Sequence, residues 1–325
     1  MIDRRTFLAG TGAVLLAAPL VAEAQQTRVY RVGVVHLGGA YSEMVEGLRE
    51  ALKELGLKEG QQLVLDVRDT KGDLKAVEVA AKSLEAAKVD LIVSVTSSAT
   101  IAVKQATQSV PIVFYAGDNP VKLGLVSSFP QPGGRLTGVH GQTADPTAKR
   151  LELLKELAPG IRRVLVLYNP ANPVALRSLG IARDAARRLK VTLVERPVAS
   201  VSELSKALQA LQAGEVDGIT YVSDAMVTSQ MKAVVDTAIA RKLPMMGANL
   251  FHAGIGALAG YGENYRIIGR LLARYAERVL QGTAPGDLPI EQLDRLHFVI
   301  NLKTAKALGL TIPPSLLARA DELIQ

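Results

Sequence analysis

Pro111-Ile112-Val113-Phe114-Tyr115-Ala116-Gly117-Asp118-Asn119-Pro120 is the stretch whose reading decides the fold. Ile112 to Tyr115 is a short apolar run of β-branched and aromatic residues. A proline bounds it on one side and Gly-Asp-Asn-Pro on the other, so it reads as a buried parallel strand that ends in a loop. In an open parallel α/β sheet, ligands sit beyond the carboxyl ends of the strands. Gly117, Asp118 and Asn119 are therefore candidate site residues.

Strand and helix signals alternate on the way to this stretch. Arg31 to Val35 reads as a strand, and Met44, Leu48, Leu52 and Leu55 recur at helical spacing before Gly56. Leu63 to Val67 is a second strand, and Leu74, Val77, Ala80, Leu84 and Ala87 mark a second helix. Leu91 to Val95 is a third strand, followed by a helix over Ser97 to Gln108. This rhythm predicts a doubly wound parallel sheet.

The pattern then starts again. Arg163-Val164-Leu165-Val166-Leu167 echoes Arg31-Val32-Gly33-Val34-Val35. Val216-Asp217-Gly218-Ile219 echoes Val89-Asp90-Leu91-Ile92, and Leu243-Pro244-Met245-Met246 echoes Val110-Pro111-Ile112-Val113. The three echoes keep their order at offsets of about 130 residues, which argues for two lobes of one topology. Turn-rich Gln131 to Arg135 with Leu136 to Val139, and the Gly-rich piece Gly254 to Gly262, read as crossovers between the lobes. The expected fold is α/β: two similar doubly wound parallel-sheet lobes joined by a multi-strand hinge. Residues 28–140 with 262–300 are assigned to the first lobe and 141–261 to the second. Residues 301–325, read as a short terminal helix from Pro313-Pro314 onward, are assigned to neither.

The totals narrow the chemistry. The 325 residues contain no Cys, which excludes disulfides, thiolate catalysis, Cys-based metal sites and a lipid-modified cysteine. The net charge of +7 raises nucleic acid as a partner, but Lys and Arg are scattered over many helices. There is no Trp and aromatics make up 4%, so no stacking platform for bases appears and no nucleic-acid partner is expected. His36, His140, His252 and His297 lack metal-ligand spacing, and no G-x-S-x-G elbow or P-loop occurs. No metal site, no cofactor and no enzymatic activity are expected. At the N-terminus, Arg4 and Arg5 precede an apolar stretch from Leu8 to Val21 and the A-x-A site Ala22-Glu23-Ala24. This reads as an export signal cleaved after Ala24, of the twin-arginine or the Sec type.

If the halves share a topology, equivalent strand ends face each other across a cleft. The first half offers Gly38, Gly39 and Tyr41, then Thr96, Ser97 and Ser98, then Gly117, Asp118 and Asn119. The second offers Asn169 and Asn172, then Ser223 and Asp224, then Asn249. Thr96 or Ser97 can cap the third helix and leave other N–H groups at that terminus for a ligand carboxylate. Asp118 or Asp224 can hold a ligand ammonium. Capping alone would also account for Thr96, Ser97 and Asn172.

The chain resembles the substrate-binding proteins of ABC importers, in the family that includes tryptophan- and tyrosine-binding members with the type I periplasmic-binding-protein fold. The resemblance is carried by Pro111-Ile112-Val113-Phe114, by Asn119-Pro120-Val121-Lys122-Leu123-Gly124-Leu125-Val126 and by Pro132-Gly133-Gly134 with Leu136-Thr137-Gly138-Val139. Val166-Leu167-Tyr168-Asn169-Pro170, Gly260-Tyr261-Gly262, Asp287-Leu288-Pro289-Ile290-Glu291 and Val299 to Leu310 continue it. Where the family places Asp directly before the Pro-Val of the first-lobe loop, this chain has Asn119, with Asp118 one residue earlier. The export signal and the absence of Cys predict a periplasmic protein without a lipid anchor, and the resemblance implies a monomer. It would capture a small organic ligand, amino-acid-like among the possibilities, and deliver it to an ABC permease with its ATPase. A sensor acting through a membrane partner, or an exported enzyme on the same scaffold, are the alternatives.

Overall fold

The structure is a computed structural model, and it describes residues 28–325. The export signal expected over residues 1–24, with Arg4, Arg5, Ala22 and Ala24, lies outside the described residues. In chain order the first half runs β1 (Tyr30–His36), α1 (Ser42–Glu54), β2 (Leu63–Asp69), α2 (Leu74–Ala86), β3 (Leu91–Val95), α3 (Ser97–Ala106), β4 (Ile112–Ala116) and β5 (Leu136–His140). The second half runs α4 (Thr147–Leu157), β6 (Arg163–Tyr168), α5 (Pro173–Leu189), β7 (Thr192–Pro197), α6 (Val201–Gln209), β8 (Gly218–Thr220), α7 (Ala225–Ser229), α8 (Met231–Ala240), β9 (Met245–Gly247), α9 (Leu250–Gly254) and β10 (Ala259–Gly262). The chain closes with α10 (Tyr265–Leu280), β11 (Glu291–Gln292), β12 (His297–Asn301), α11 (Leu302–Ala307), α12 (Pro314–Leu317) and β13 (Glu322–Ile324).

Two sheets form. One has the order β11-β5-β4-β3-β1-β2, the other β13-β12-β10-β9-β8-β6-β7. Within them, β2-β1-β3-β4-β5 and β7-β6-β8-β9-β10 repeat one doubly wound order, and all of these pairs are parallel. The sequence echoes have a structural meaning. Asp90 accepts the Arg31 N–H at 2.7 Å, and Asp217 accepts the Arg163 N–H at 2.8 Å. The Pro111 carbonyl accepts the Ile92 N–H at 2.9 Å, and the Pro244 carbonyl accepts the Ile219 N–H at 3.0 Å. Each echo marks the same step in starting a strand pair.

Helices cover both faces of each sheet, so the central strands read as continuous apolar runs; every residue of β3 and β4 is buried. In the first lobe, α10 returns from late in the chain to lie along α1. Gly47 and Gly269 permit that approach, because a Cβ at either would overlap the backbone of the other helix, at Arg266 or Met44.

Three passages join the lobes. The chain crosses just after β5, just after β10, and between β11 and β12. The segments read as crossovers are themselves mostly sheet: Leu136–His140 is β5 and Ala259–Gly262 is β10. Residues 297–300, assigned from sequence to the first lobe, belong to the second: β12 pairs antiparallel with β10. The tail follows it, since β13 pairs with β12 at the edge of the second sheet.

Candidate ligand-binding cleft

The carboxyl ends of β3, β4 and β8 converge between the lobes. Chain geometry is tight there. Thr96, just before α3, has φ of 94° and ψ of 152°. A β-branched residue in that region is strained, and such strain clusters at functional sites. Its hydroxyl accepts the Ala99 N–H at 3.2 Å. The N–H groups of Ser97 and Ser98 have no intramolecular partner among the described residues. Ser97 Oγ accepts the Gly117 N–H at 3.0 Å, tying α3 to the end of β4.

Asp224 forms the facing wall. It caps α7 by accepting the Val227 N–H at 2.9 Å. Its other oxygen accepts the Asn169 N–H and the Asn172 Nδ2–H, both at 3.1 Å. The carboxylate is thus fixed by its own lobe while it lines the space between the two. Asp224 is 2% exposed, and burial pushes its pKa above the usual carboxylate value.

Four tyrosines complete the enclosure. Tyr41 and Tyr265 stack with centroids 5.4 Å apart and planes 15° apart, and Tyr115 tilts against Tyr265 at 6.5 Å. Tyr221 exchanges a 2.7 Å hydrogen bond with Thr228 Oγ1. Burial raises the pKa of all four phenols, so they stand as neutral hydroxyls. Together these side chains and Asn172, Ser223 and Thr143 bound a cavity of about 40 Å³. Through Ser98, Asn172, Asp224 and Ala225 it shares walls with a wider groove of about 810 Å³ between the lobes.

Behind the cavity, a polar cluster links the lobes to the hinge. The Thr143 N–H and hydroxyl both donate to the Gly117 carbonyl, at 2.9 Å each. The Thr143 carbonyl accepts from Ser223 Oγ and, at 3.1 Å, from Arg150 Nη1. Arg150 is 2% exposed, donates through Nε to the Tyr261 carbonyl at 2.7 Å, and lies over the Tyr221 ring at 5.1 Å. Glu263, on the second passage, accepts the Tyr115 hydroxyl, and burial pushes its carboxyl up to about 7.

Eight of the expected site residues line the small cavity: Tyr41, Thr96, Ser97, Ser98, Gly117, Asn172, Ser223 and Asp224. Asn169 lines the groove. The other five stand elsewhere. Gly38 and Gly39 form the turn into α1, where a Cβ on Gly39 would overlap the Ser229 backbone of the other lobe. Asp118 is committed to Arg177 at 2.8 Å. Asn119 accepts the Val121 and Lys122 N–H groups at 3.0 and 3.1 Å and shapes its own turn. Asn249 caps α9 from inside the second lobe, accepting the His252 N–H at 3.1 Å. His36 is structural, with Nδ1 accepting the Gly38 N–H at 3.1 Å. Sequence reasoning missed Tyr115, Thr143, Arg150, Tyr221, Glu263 and Tyr265. One signal for the tyrosines was present: in a chain with 8 Tyr, several sit at strand ends or just after a passage.

Two parallel-sheet lobes with a cavity between them are the type I periplasmic-binding-protein fold. Residues 32–324 match the family described as ABC transporter substrate binding protein, and the chain belongs to that family. It is 30% identical over 265 residues to the tyrosine-binding protein of Clostridioides difficile (strain R20291), covering 82% of this chain and 76% of that one. Among solved structures, an ABC domain in complex with L-Trp from Streptococcus pneumonia is similar at a TM-score of 0.79 and 26% identity, covering 91% of this chain and all (100%) of that one. A ligand-free, open substrate-binding protein with adhesive properties from Clostridium difficile, with the same identity (26%) and the same coverage (91% and 100%), scores 0.60. In this structure the two lobes touch, through Arg177 to Asp118 and Gln230 to the Lys71 carbonyl. Among the described residues, no helix is long and apolar enough to cross a membrane.

Proposed function

We propose that this substrate-binding protein is exported to the periplasm, captures an amino-acid-like zwitterion between its lobes, and hands it to an ABC permease. The observation that carries this reading is the pairing of walls. One lobe offers the unpartnered Ser97 and Ser98 N–H groups at the positive end of α3, suited to a carboxylate. The other offers the Asp224 carboxylate, which lines the cavity and suits an ammonium. A ligand held by both lobes favours the closed form by the difference between its contacts in the two states. The tyrosine-binding relative and the L-Trp complex support the same ligand class.

Calorimetric titration of the mature, refolded protein with L-Tyr, L-Trp, L-Phe and L-Ala tests this. At least one should bind. Asp224→Asn, which keeps a good helix cap but removes the charge, should weaken that binding about 10- to 100-fold, the worth of a charge-assisted hydrogen bond. Silence across the amino acids, or unchanged affinity in the variant, would overturn the reading.

A further inference from the structure

The cleft has two unequal compartments with different chemistry. The inner cavity, about 40 Å³, is lined by the polar side chains of Thr96, Ser97, Ser98, Asn172, Ser223 and Asp224 together with four tyrosines. At about 10–15 Å³ for one water, it has room for about three waters. That suits the polar end of a small molecule and is too little for a phenol or an indole. The outer groove, about 810 Å³, falls within the range of about 300–1,000 Å³ in which pockets bury a drug-sized ligand. Leu37, Ile101 and Ala102 of the first lobe and Pro173, Val201 and Met226 of the second line it. Ile101 of the first lobe and Val201 of the second are half-buried there, so each lobe brings apolar surface to the groove.

The boundary between the compartments is also specific. Ser98, Asn172 and Asp224 line both. A head group held by Asp224 and by the first turn of α3 therefore has one way to project the rest of the molecule, outward into the groove. Neither compartment alone explains this layout, since a ligand that filled only the inner cavity would leave a two-lobed apolar groove wet.

We infer that the ligand binds head-in: an α-amino acid whose charged end enters the inner cavity and whose apolar side chain, extended beyond a single aromatic ring, occupies the outer groove. This rests on the amino-acid reading above. It adds that specificity lies at the head and that the tail is open to extension. Asp224 and the Ser97–Ser98 turn decide whether a compound binds, while the apolar walls reward length.

Titration with L-Ala, L-Phe, L-phenylalanine methyl ester and p-benzoyl-L-phenylalanine tests it. The benzoyl compound should bind at least as tightly as L-Phe, and the ester, whose carboxylate is blocked, should lose about tenfold or more. Ser202→Trp places a ring at an exposed position of the groove wall, and it should weaken the benzoyl compound more than L-Ala. If L-Phe binds and the benzoyl compound is weaker by about tenfold or more, the extended-tail inference falls while the amino-acid reading stands. An equal loss for the benzoyl compound and L-Ala in Ser202→Trp would also sink it. If no amino acid binds, the reading beneath it fails as well.

Discussion

Glu263 joins three parts of the chain with one carboxyl group. It accepts the Tyr115 hydroxyl from the end of β4, receives the Gln142 N–H of the first passage, and presses against Gly141, where a Cβ would overlap it. Burial raises its pKa to about 7. Between its ordinary value of 4.5 and about 7 the folded chain therefore holds a proton that the unfolded chain has released. The contribution is most favourable below that window and is lost as pH rises through it. Glu263→Gln keeps an acceptor for Tyr115 and cannot titrate. Its thermal midpoint should change less than the wild type's between pH 5 and pH 8, on the order of one titrating group. Parallel profiles in a pH series of melting curves would acquit Glu263. At this scale the sequence was partly legible. Asp90 and Asp217 stood out as echoes because each must meet the N–H that opens the preceding strand pair. Tyr115, Tyr221 and Tyr265 did not stand out. A strand end points to a loop near the site, but which flanking side chain turns inward depends on the lobe across the cleft. Asp118, for the same reason, looked available until Arg177 came from the other lobe to meet it.

Helix α10 shows what an element's own pattern reveals and what it hides. Ile268, Leu271, Tyr275 and Val279 recur at helical spacing and mark the helix; Ile268 and Val279 are buried together with Leu272, Ala273 and Ala276, while Leu271 and Tyr275 are half-buried. The Gly269 contact brings α10 onto α1 by a face that also carries the small residues Ala273 and Ala276. Gly269→Ala inserts a methyl group against the Met44 carbonyl. Overpacking of this kind costs about 1–3 kcal/mol, so the urea midpoint should fall with an unchanged m-value. A neutral result would show that the helices separate freely. Strand β12 is the complementary case. The run His297 to Ile300 reads as a strand from its residues, but its partner cannot be read there, because an apolar run carries no label for the sheet it joins. Its antiparallel pairing to β10 moved it from one lobe to the other.

The molecule as a whole is held shut by contacts that involve no ligand. Arg177 of the second lobe reaches Asp118 of the first at 2.8 Å and Asp145 at 2.5 Å. Gln230 Nε2 donates to the Lys71 carbonyl across the same divide at 3.1 Å. An exposed ion pair contributes about 0–1 kcal/mol, which is enough to move a balanced open–closed equilibrium several-fold. Arg177→Ala should therefore enlarge the radius of gyration of the ligand-free protein in small-angle scattering and weaken ligand binding by up to about fivefold. Unchanged scattering and affinity would show that the pair rides on closure without biasing it. The two-lobe plan was the most legible feature, since repeated strand starts survive where site residues diverge. The three passages between the lobes carry a consequence for how the molecule is made. When synthesis has reached residue 262, the first lobe still lacks α10 and β11, and the second still lacks β12 and β13. The first lobe receives its last strand, β11, only just before the second receives β12. The two cores are completed almost together, by the stretch from α10 to β13, and a premature stop after β10 leaves both halves unfinished.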